Sequence, residues 1–275
     1  MSTIRNRYAV FGNPIAHSRS PLIHTKFASD TGQVIEYGSQ LIHVEKFSAS
    51  VDEFFHNGGH GLNVTVPFKL EASSYVDQRT QRAFLAGSVN TLWRNEKGVT
   101  YGDNTDGIGL LNDLKHNLGW RLKGLRILVL GAGGAVRGLL GPLLLEKPDT
   151  VVVVNRSVVK AQKLIPIFSM LGPITVCSYE GLEGQSFDLV INGTSASLTG
   201  QKLSLPRDIL AEESYCYDMM YSKKPTEFMR WGAALGAKTS DGLGMLVEQA
   251  AESFFLWRDV RPLTKSVIEA VRDML

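Results

Sequence analysis

Short apolar runs alternate with amphipathic stretches along the first hundred residues, the pattern of a small α/β unit. The spacing predicts a strand over Tyr8 to Gly12, a helix over Pro21 to Thr31 with proline in its first turn, and a strand over Glu36 to Ile42. A helix from Val44 to Asn57 is stopped by Gly58-Gly59, and a strand over Gly61 to Val66 leads to Pro67. Val89 to Arg94 and Val99 to Asp103 flank Asn95-Glu96-Lys97-Gly98 as a hairpin. Thr105 to Leu118 repeats apolar residues at helical spacing (Ile108, Leu111, Leu114, Leu118), and Gly119 closes it.

After the polar step from Arg121 to Gly124 the pattern becomes denser. Arg126 to Leu130 reads as an apolar strand, Gly133 to Leu145 as a helix, Thr150 to Asn155 as a Val-rich strand, Val158 to Leu171 as a helix interrupted at Pro166, and Phe187 to Asn192 as a strand. Tyr215 to Met219 is a further strand, followed by a helix from about Thr226 to Leu235 and a short strand near Lys238. Helices over Gly242 to Trp257 and Leu263 to Leu275 finish the chain. Val- and Leu-rich strands alternating with helices predict a doubly wound parallel sheet.

Composition narrows the class. At 275 residues the chain has room for roughly two domains. Its 44% hydrophobic and 20% charged residues exclude disorder. Lys plus Arg against Asp plus Glu is 29 − 27, a net charge of +2, and no run of five like charges occurs. Nucleic-acid and membrane-surface roles gain no electrostatic support. Cys177 and Cys216 form neither a CxxC pair nor a four-ligand zinc site, and they suit a reducing cytoplasm. Met-Ser-Thr-Ile-Arg-Asn-Arg at the start has no apolar stretch of the signal-peptide kind. The segment from Ile127 to Leu145 carries Arg137 as its one charge, but five glycines and Pro142 interrupt it, so strand, turn and buried helix explain it better than a membrane span.

Gly131-Ala132-Gly133-Gly134-Ala135-Val136-Arg137 falls between an apolar strand and a helix, where backbone N–H groups and the helix dipole hold a dinucleotide pyrophosphate. Two glycines of the GxGxxG fingerprint are present, and Val136 stands at the third position. Asn155-Arg156 lies 155 − 131 = 24 residues on, near the spacing at which NAD enzymes place an acid on the ribose 2′-hydroxyl. No acid is there. Arg156, with Lys160 four positions later, puts cations where the 2′-phosphate of NADP lies, which favours NADP. Three polar clusters sit on loops after strands: Gly12 to Pro21, Asn63 to Lys69, and Gly102 to Gly107. Each also reads as turn or cap residues: Ser20 before Pro21 fits an N-cap, and Thr105 or Asp106 could cap the helix that follows. The six histidines show no metal-ligand spacing, so no metal is expected.

GNPIAHSRSPLIH, NVTVPFK, GSVNTL, GDNTDGIG, GAGGAVRG with NRS after it, INGTS, CYDMMY and DGLGMLVEQA stand in the order and spacing of the shikimate dehydrogenase family. The resemblance runs from about Tyr8 to about Arg261 and implies NADPH-dependent, reversible reduction of 3-dehydroshikimate to shikimate, small-molecule chemistry of the pathway to aromatic amino acids. It implies a catalytic pair of Lys69 and Asp106. It places Ser18, Ser20 and Tyr221 on the substrate carboxylate, and Asn63, Thr65, Asn90 and Gln249 on the carboxylate or ring hydroxyls. For the cofactor it implies Gly131, Ala132, Gly133, Gly134, Ala135, Asn155, Arg156, Ser157, Lys160, Thr194, Met219 and Gly242. At Met219 core packing and a nicotinamide contact stand as equals. Family members often carry Arg where Lys160 stands and Ala where Asn192 stands, departures that touch cofactor affinity.

The motif order implies an N-terminal α/β substrate domain over 1–106, a Rossmann-type NADP domain over 107–240, and completion of the first domain by helices over 241–275. Leu246, Ala250, Phe254 and Trp257 would form the apolar stripe of the returning helix, with Gln249 beside it. Two other functions compete: an NAD-using quinate/shikimate dehydrogenase, against which Asn155-Arg156 argues, and a shikimate-binding regulatory protein without turnover, against which the presence of both Lys69 and Asp106 argues.

Overall fold

The computed structural model describes residues 6–194 and 205–275. The opening five residues, on which the signal-peptide expectation rests, lie outside them. The chain divides into two compact units, one formed by Met1–Gly109 with Val247–Met274 and the other by Leu110–Leu246 with Leu275.

In the first unit β1 (Asn6–Gly12), α1 (Ser20–Asp30), β2 (Ile35–Leu41), α2 (Phe47–His56) and β3 (Gly59–Val64) follow the predicted alternation to within two or three residues at most ends. Two short helices not anticipated from the sequence come next, α3 (Lys69–Tyr75) and α4 (Gln81–Ala86), with the two-residue β4 (Gln78–Arg79) between them. The hairpin is β5 (Thr91–Arg94) and β6 (Thr100–Asp103), turned at Gly98 with φ +81°. The sheet runs β2-β1-β3-β5-β6-β4 and is mixed: β1 pairs in parallel with β2 and β3, while β5 is antiparallel to β3 and β6.

Alternation along β1 sends Ala9 and Phe11 to a core shared with Phe47, Val51, Phe54 and Leu62, and Tyr8 and Val10 to the opposite side, where they pack with Ile15 and Tyr37. On that second side the final long helix covers the sheet. Trp257 stacks on Tyr8 at 4.8 Å and donates to the Leu92 carbonyl at 3.1 Å, and Phe254 packs edge-on to Phe27. Ala250 and Phe254 are fully buried, and Leu246 falls on the other unit's side of the division.

The second unit contains α5 (Asp106–Asn112, which begins in the first unit), β7 (Arg126–Leu130), α6 (Gly134–Leu145), β8 (Thr150–Val154), α7 (Val158–Gln162), α8 (Ile165–Phe168), β9 (Ile174–Cys177), β10 (Phe187–Asn192), β11 (Leu210–Asp218), α9 (Glu227–Ala234), β12 (Lys238–Asp241) and α10 (Leu243–Arg258, which continues into the first unit). The last helix of the chain, α11, spans Lys265–Asp273. The predicted helix over Thr105 to Leu118 is instead α5 followed by a π-helical turn over Asp113–Asn117. There the buried Asp113 carboxylate accepts from the Tyr217 hydroxyl at 2.6 Å. Every pairing in this unit's sheet is parallel, in the order β12-β11-β10-β7-β8-β9. Counting from β7 this is the 3-2-1-4-5-6 order of dinucleotide-binding sheets. Strands β7 and β8 are apolar and buried at every central position, as strands of a parallel sheet covered on both faces are. No helix among the described residues is long and apolar enough to cross a membrane.

His24 on α1 is fully buried, stacked on Tyr37 at 4.1 Å, and neither ring nitrogen has a hydrogen-bond partner among the described residues. Burial pushes its pKa down to about 3, with the nearby Asn63 side chain partly opposing. The unfolded chain therefore takes up a proton near pH 6.5 that the native protein refuses until about 3, so His24 makes stability fall as pH drops through that window. Melting temperatures recorded between pH 7.5 and 5, above the carboxylate range, should fall less steeply in His24→Phe than in the wild type. Parallel curves would show that His24 carries no such linkage.

Candidate active site

Strand β3 is followed by the segment Thr65-Val66-Pro67-Phe68, in which the Val66–Pro67 peptide is cis and Phe68 is buried face to face with Phe47 at 5.0 Å. That anchor sets the start of α3, so its first residue, Lys69, has its backbone carbonyl on the Val89 amide at 2.9 Å and its side chain turned to α5. The Lys69 Nζ lies 2.5 Å from Asp106 Oδ2. Asp106 opens α5, and the Asn104 side chain accepts from its backbone N–H at 3.2 Å. Its other carboxylate oxygen accepts from Asn90 Nδ2 at 2.8 Å. With 10% of the Asp106 side chain and 26% of that of Lys69 exposed, the pair is shielded but reachable from solvent.

Asn90 also donates to Thr105 Oγ1 at 3.0 Å and lies 3.4 Å from Gln249 Oε1, while its own Oδ1 accepts from the Thr105 backbone N–H at 2.9 Å. Asn63 reaches the same cluster through the Asn90 carbonyl, Thr91 and Ser253. Lys69, Asp106, Asn90, Asn63 and Gln249, far apart in sequence, thus share one polar cluster, and Thr65 stands on the segment joining two of them. Ser20 is the first residue of α1 and not its cap: the Ser18 hydroxyl accepts from the Ser20 backbone N–H at 3.3 Å. Tyr221 belongs to the other unit and is half-buried.

Sequence reasoning missed Tyr37, Thr91 and Ser253, all tied to Asn63. It also missed an ion-pair cluster behind them. The buried Asp103 accepts from Arg82 at 2.8 Å and from its own neighbour's N–H at 2.7 Å, and Arg82 reaches on to Glu252 at 2.8 Å, which pairs with Arg261. Glu252 and Ser253, adjacent polar residues on a helix whose stripe reads as apolar, were the one available signal.

In the second unit Gly131 follows β7 at φ +104°, a conformation that favours glycine, and a Cβ there would lie 3.3 Å from the Gly193 carbonyl oxygen and from Thr194. Gly133 and Gly134 would meet nothing within 4 Å, and no side chain caps the N-terminus of α6, so that helix end is open to a ligand. Ala132 and Ala135 lie on the same turn, half-buried and exposed. Val136, at the third fingerprint position, is fully buried, and a Cβ on Gly193 would sit 2.4 Å from its Cγ2. The close approach normally granted by a third glycine is granted here by Gly193 on the neighbouring strand's exit.

After β8, Asn155 donates to the Ser157 carbonyl at 2.9 Å, and Arg156, Ser157 and Lys160 are exposed. After β10, the Thr194 hydroxyl donates to Asn192 Oδ1 at 2.7 Å, and Asn192 donates in turn to the buried Asp218 at 3.1 Å. Ser195, which ends the INGTS motif, lies outside the described residues. Met219 is half-buried with its backbone N–H on the Asn192 carbonyl, and Gly242 packs so tightly that a Cβ would fall 2.2 Å from the Met219 carbonyl oxygen. Among the described residues no group of three His, Cys, Asp or Glu could hold a metal ion.

The strand order and the glycine turn at its switch point define a dinucleotide-fold α/β protein. Family models described as the shikimate dehydrogenase substrate binding domain, shikimate / quinate 5-dehydrogenase, and the shikimate 5'-dehydrogenase C-terminal domain match residues 10–92, 113–202 and 242–272. The NADP(+) shikimate dehydrogenase of Cellvibrio japonicus (strain Ueda107) is 53% identical over 269 residues, 98% of this chain and 97% of that protein. Its counterpart in Janthinobacterium sp. (strain Marseille) is 49% identical over the whole of both chains. The crystal structure of an Ael1 enzyme from Pseudomonas putida superposes with a TM-score of 0.92 at 46% identity, covering 96% of this chain and 97% of that one. Shikimate 5-dehydrogenase from Thermus thermophilus, in complex with NADP(H) and shikimate, does so at 0.88 and 32% identity, covering 98% and 100%. The chain belongs to the shikimate dehydrogenase family.

Because Gly193 and Val136 share one space, Gly193→Ala should destabilise the protein by about 1 to 3 kcal/mol through overpacking. Adding Val136→Ala should recover part of that loss in denaturant melts; additive losses would mean the two positions do not meet.

Proposed function

We propose that the chain reduces 3-dehydroshikimate to shikimate, reversibly, with NADPH (EC 1.1.1.25), the first unit holding substrate and the second the cofactor. The observation that carries this reading is the Lys69–Asp106 pair at 2.5 Å with Asn90 on the second carboxylate oxygen. Reduction of a ketone needs a hydride at carbon and a proton at oxygen, and NADPH when bound supplies the hydride. Lys69 supplies the proton: its side chain is the more exposed of the pair, and the Asp106 carboxylate holds the ammonium in place and balances its charge. In the reverse direction the neutral amine takes the hydroxyl proton back. Asn90, Gln249, Thr65 and Asn63 orient the ring, and Ser18 and Ser20 take the carboxylate.

The second unit fits the cofactor by its open helix N-terminus, by Gly131 and by the glycines that leave room above it. Ala132 and Ala135 complete the turn, and Asn155, Ser157, Thr194, Met219 and Gly242 line the strand ends around it. Arg156 and Lys160 are exposed cations, suited to a 2′-phosphate. The NAD-using alternative is not favoured, since the full-length relatives at about half identity are named for NADP(+).

Lys69→Ala should lower turnover by roughly 10²- to 10⁴-fold while leaving NADPH affinity nearly unchanged, as read by steady-state kinetics and cofactor titration. Near-normal turnover would remove Lys69 from the mechanism. Arg156→Asp should lower the ratio of NADPH to NADH efficiency by at least about tenfold. An unchanged ratio would return Arg156 to plain surface.

A further inference from the structure

We infer that Tyr37 and Ser253 are positioning residues that clamp the Asn63 carboxamide so that it meets substrate as a hydrogen-bond acceptor alone, a group that selects a ring hydroxyl over the carboxylate. The inference rests on the substrate proposed above.

A carboxamide has two N–H donors on its nitrogen and two acceptor positions on its oxygen. Asn63 is 6% exposed, so these must be satisfied almost entirely within the protein. The atom facing the Asn90 backbone carbonyl at 3.1 Å has to be the nitrogen, because that carbonyl can only accept. With the amide oriented in this way, Nδ2 also faces Ser253 Oγ at 3.0 Å and Thr91 Oγ1 at 3.2 Å. Three acceptors share two hydrogens, and no donor is left for a ligand.

The two clamping hydroxyls have no freedom to reverse these roles. Ser253 is fully buried, with the Gln249 carbonyl at 3.1 Å and the Thr91 hydroxyl at 2.8 Å as outlets for its one proton, so toward the Asn63 N–H it accepts. On the other side the Tyr37 hydroxyl lies 2.7 Å from Asn63 Oδ1, where it can only donate. Its ring is held flat against His24, with an interplanar angle of 5°. Burial drives the Tyr37 phenol well above its ordinary range, with the Ser20 hydroxyl opposing, so it keeps its proton at any working pH. One acceptor position on Oδ1 remains. A carboxylate offers acceptors only and would be repelled there, whereas a ring hydroxyl can donate to it. The short hydroxyls of Ser18 and Ser20 are then the first unit's donors for the carboxylate.

The test uses Tyr37→Phe, which removes one oxygen and keeps the ring stack, and Ser253→Ala as a second probe at the opposite end of the amide. Steady-state kinetics would be measured for shikimate and NADP, with thermal melts in parallel. Calorimetric binding would follow with shikimate and with analogues each lacking one ring hydroxyl. Expected is a three- to tenfold rise in the KM for shikimate in either variant, with kcat and the KM for NADP within about twofold of wild type. One deoxy analogue should bind wild type and Tyr37→Phe equally, because it lacks the hydroxyl Asn63 would hold. An unchanged shikimate KM alongside a lowered melting temperature would make the two hydroxyls core residues and overturn the clamp. So would an equal penalty for shikimate and for every analogue. Failure of the wild-type protein to oxidise shikimate at all would overturn the proposed function itself, an outcome read before any variant is compared.

Discussion

The polar cluster of the first unit hangs on the Asn90 carboxamide being held at both of its ends. Its oxygen accepts from the Thr105 backbone and from the Thr91 hydroxyl at 2.9 Å each, and its nitrogen donates to Thr105 and to Asp106. The residue just before β5 is thereby fixed to the first turn of α5, and the Asp106 carboxylate can take only one orientation. Its free oxygen then faces the place where the cis Val66–Pro67 turn delivers Lys69. A buried carboxamide paired at both ends is rigid, since an arrangement that breaks those bonds leaves a group unpaired at a cost of about 1 to 3 kcal/mol.

The C-terminal return of the chain completes that cluster, and electrostatics hold it there. Glu252 and Ser253 are adjacent on α10 yet serve different purposes. Glu252 closes the chain Asp103, Arg82, Glu252, Arg261, while Ser253 turns inward to Thr91 and Asn63. Removing one member of such a buried ion pair leaves its partner uncompensated, which costs far more than an exposed pair contributes. Asp103 precedes the Asn104-Thr105-Asp106 segment directly, so the ion-pair cluster also holds the strand end from which the catalytic candidate projects.

How legible this was in the sequence follows from what each element depends on. Long elements with one buried stripe or a continuous apolar run, such as β7, β8, β10 and α10, were readable because their periodicity states their environment. Helices α3 and α4, of seven and six residues, were not: they are too short for a period to register. Their ends are set by tertiary contacts, as with Phe68 against Phe47 before α3. Strand β9 hid for the same reason. Lys69 and Asp106 came from motif resemblance; the residues alone left their loops as turn and cap candidates. Nothing in one dimension linked Tyr37 or Ser253 to Asn63, because a buried hydroxyl on a strand or helix reads as an ordinary core position until its partner 26 or 190 residues away is known.

Val136 shows why a motif departure need not be a functional one. The third glycine of a dinucleotide fingerprint is a demand for space between the helix and what it packs on, and space belongs to a pair of surfaces, not to a single residue. Here the helix keeps a buried branched side chain at that position, and the exit of β10 gives up its Cβ at Gly193 instead. Gly131 then takes the positive φ that the first fingerprint position requires, and its own missing Cβ makes room for the Gly193 carbonyl in turn. The two glycines, 62 positions apart in the sequence, therefore form one constraint. A pattern that scores each of the three fingerprint positions separately sees a defect, whereas the folded chain has moved the same requirement to the neighbouring strand and left the open end of α6 intact.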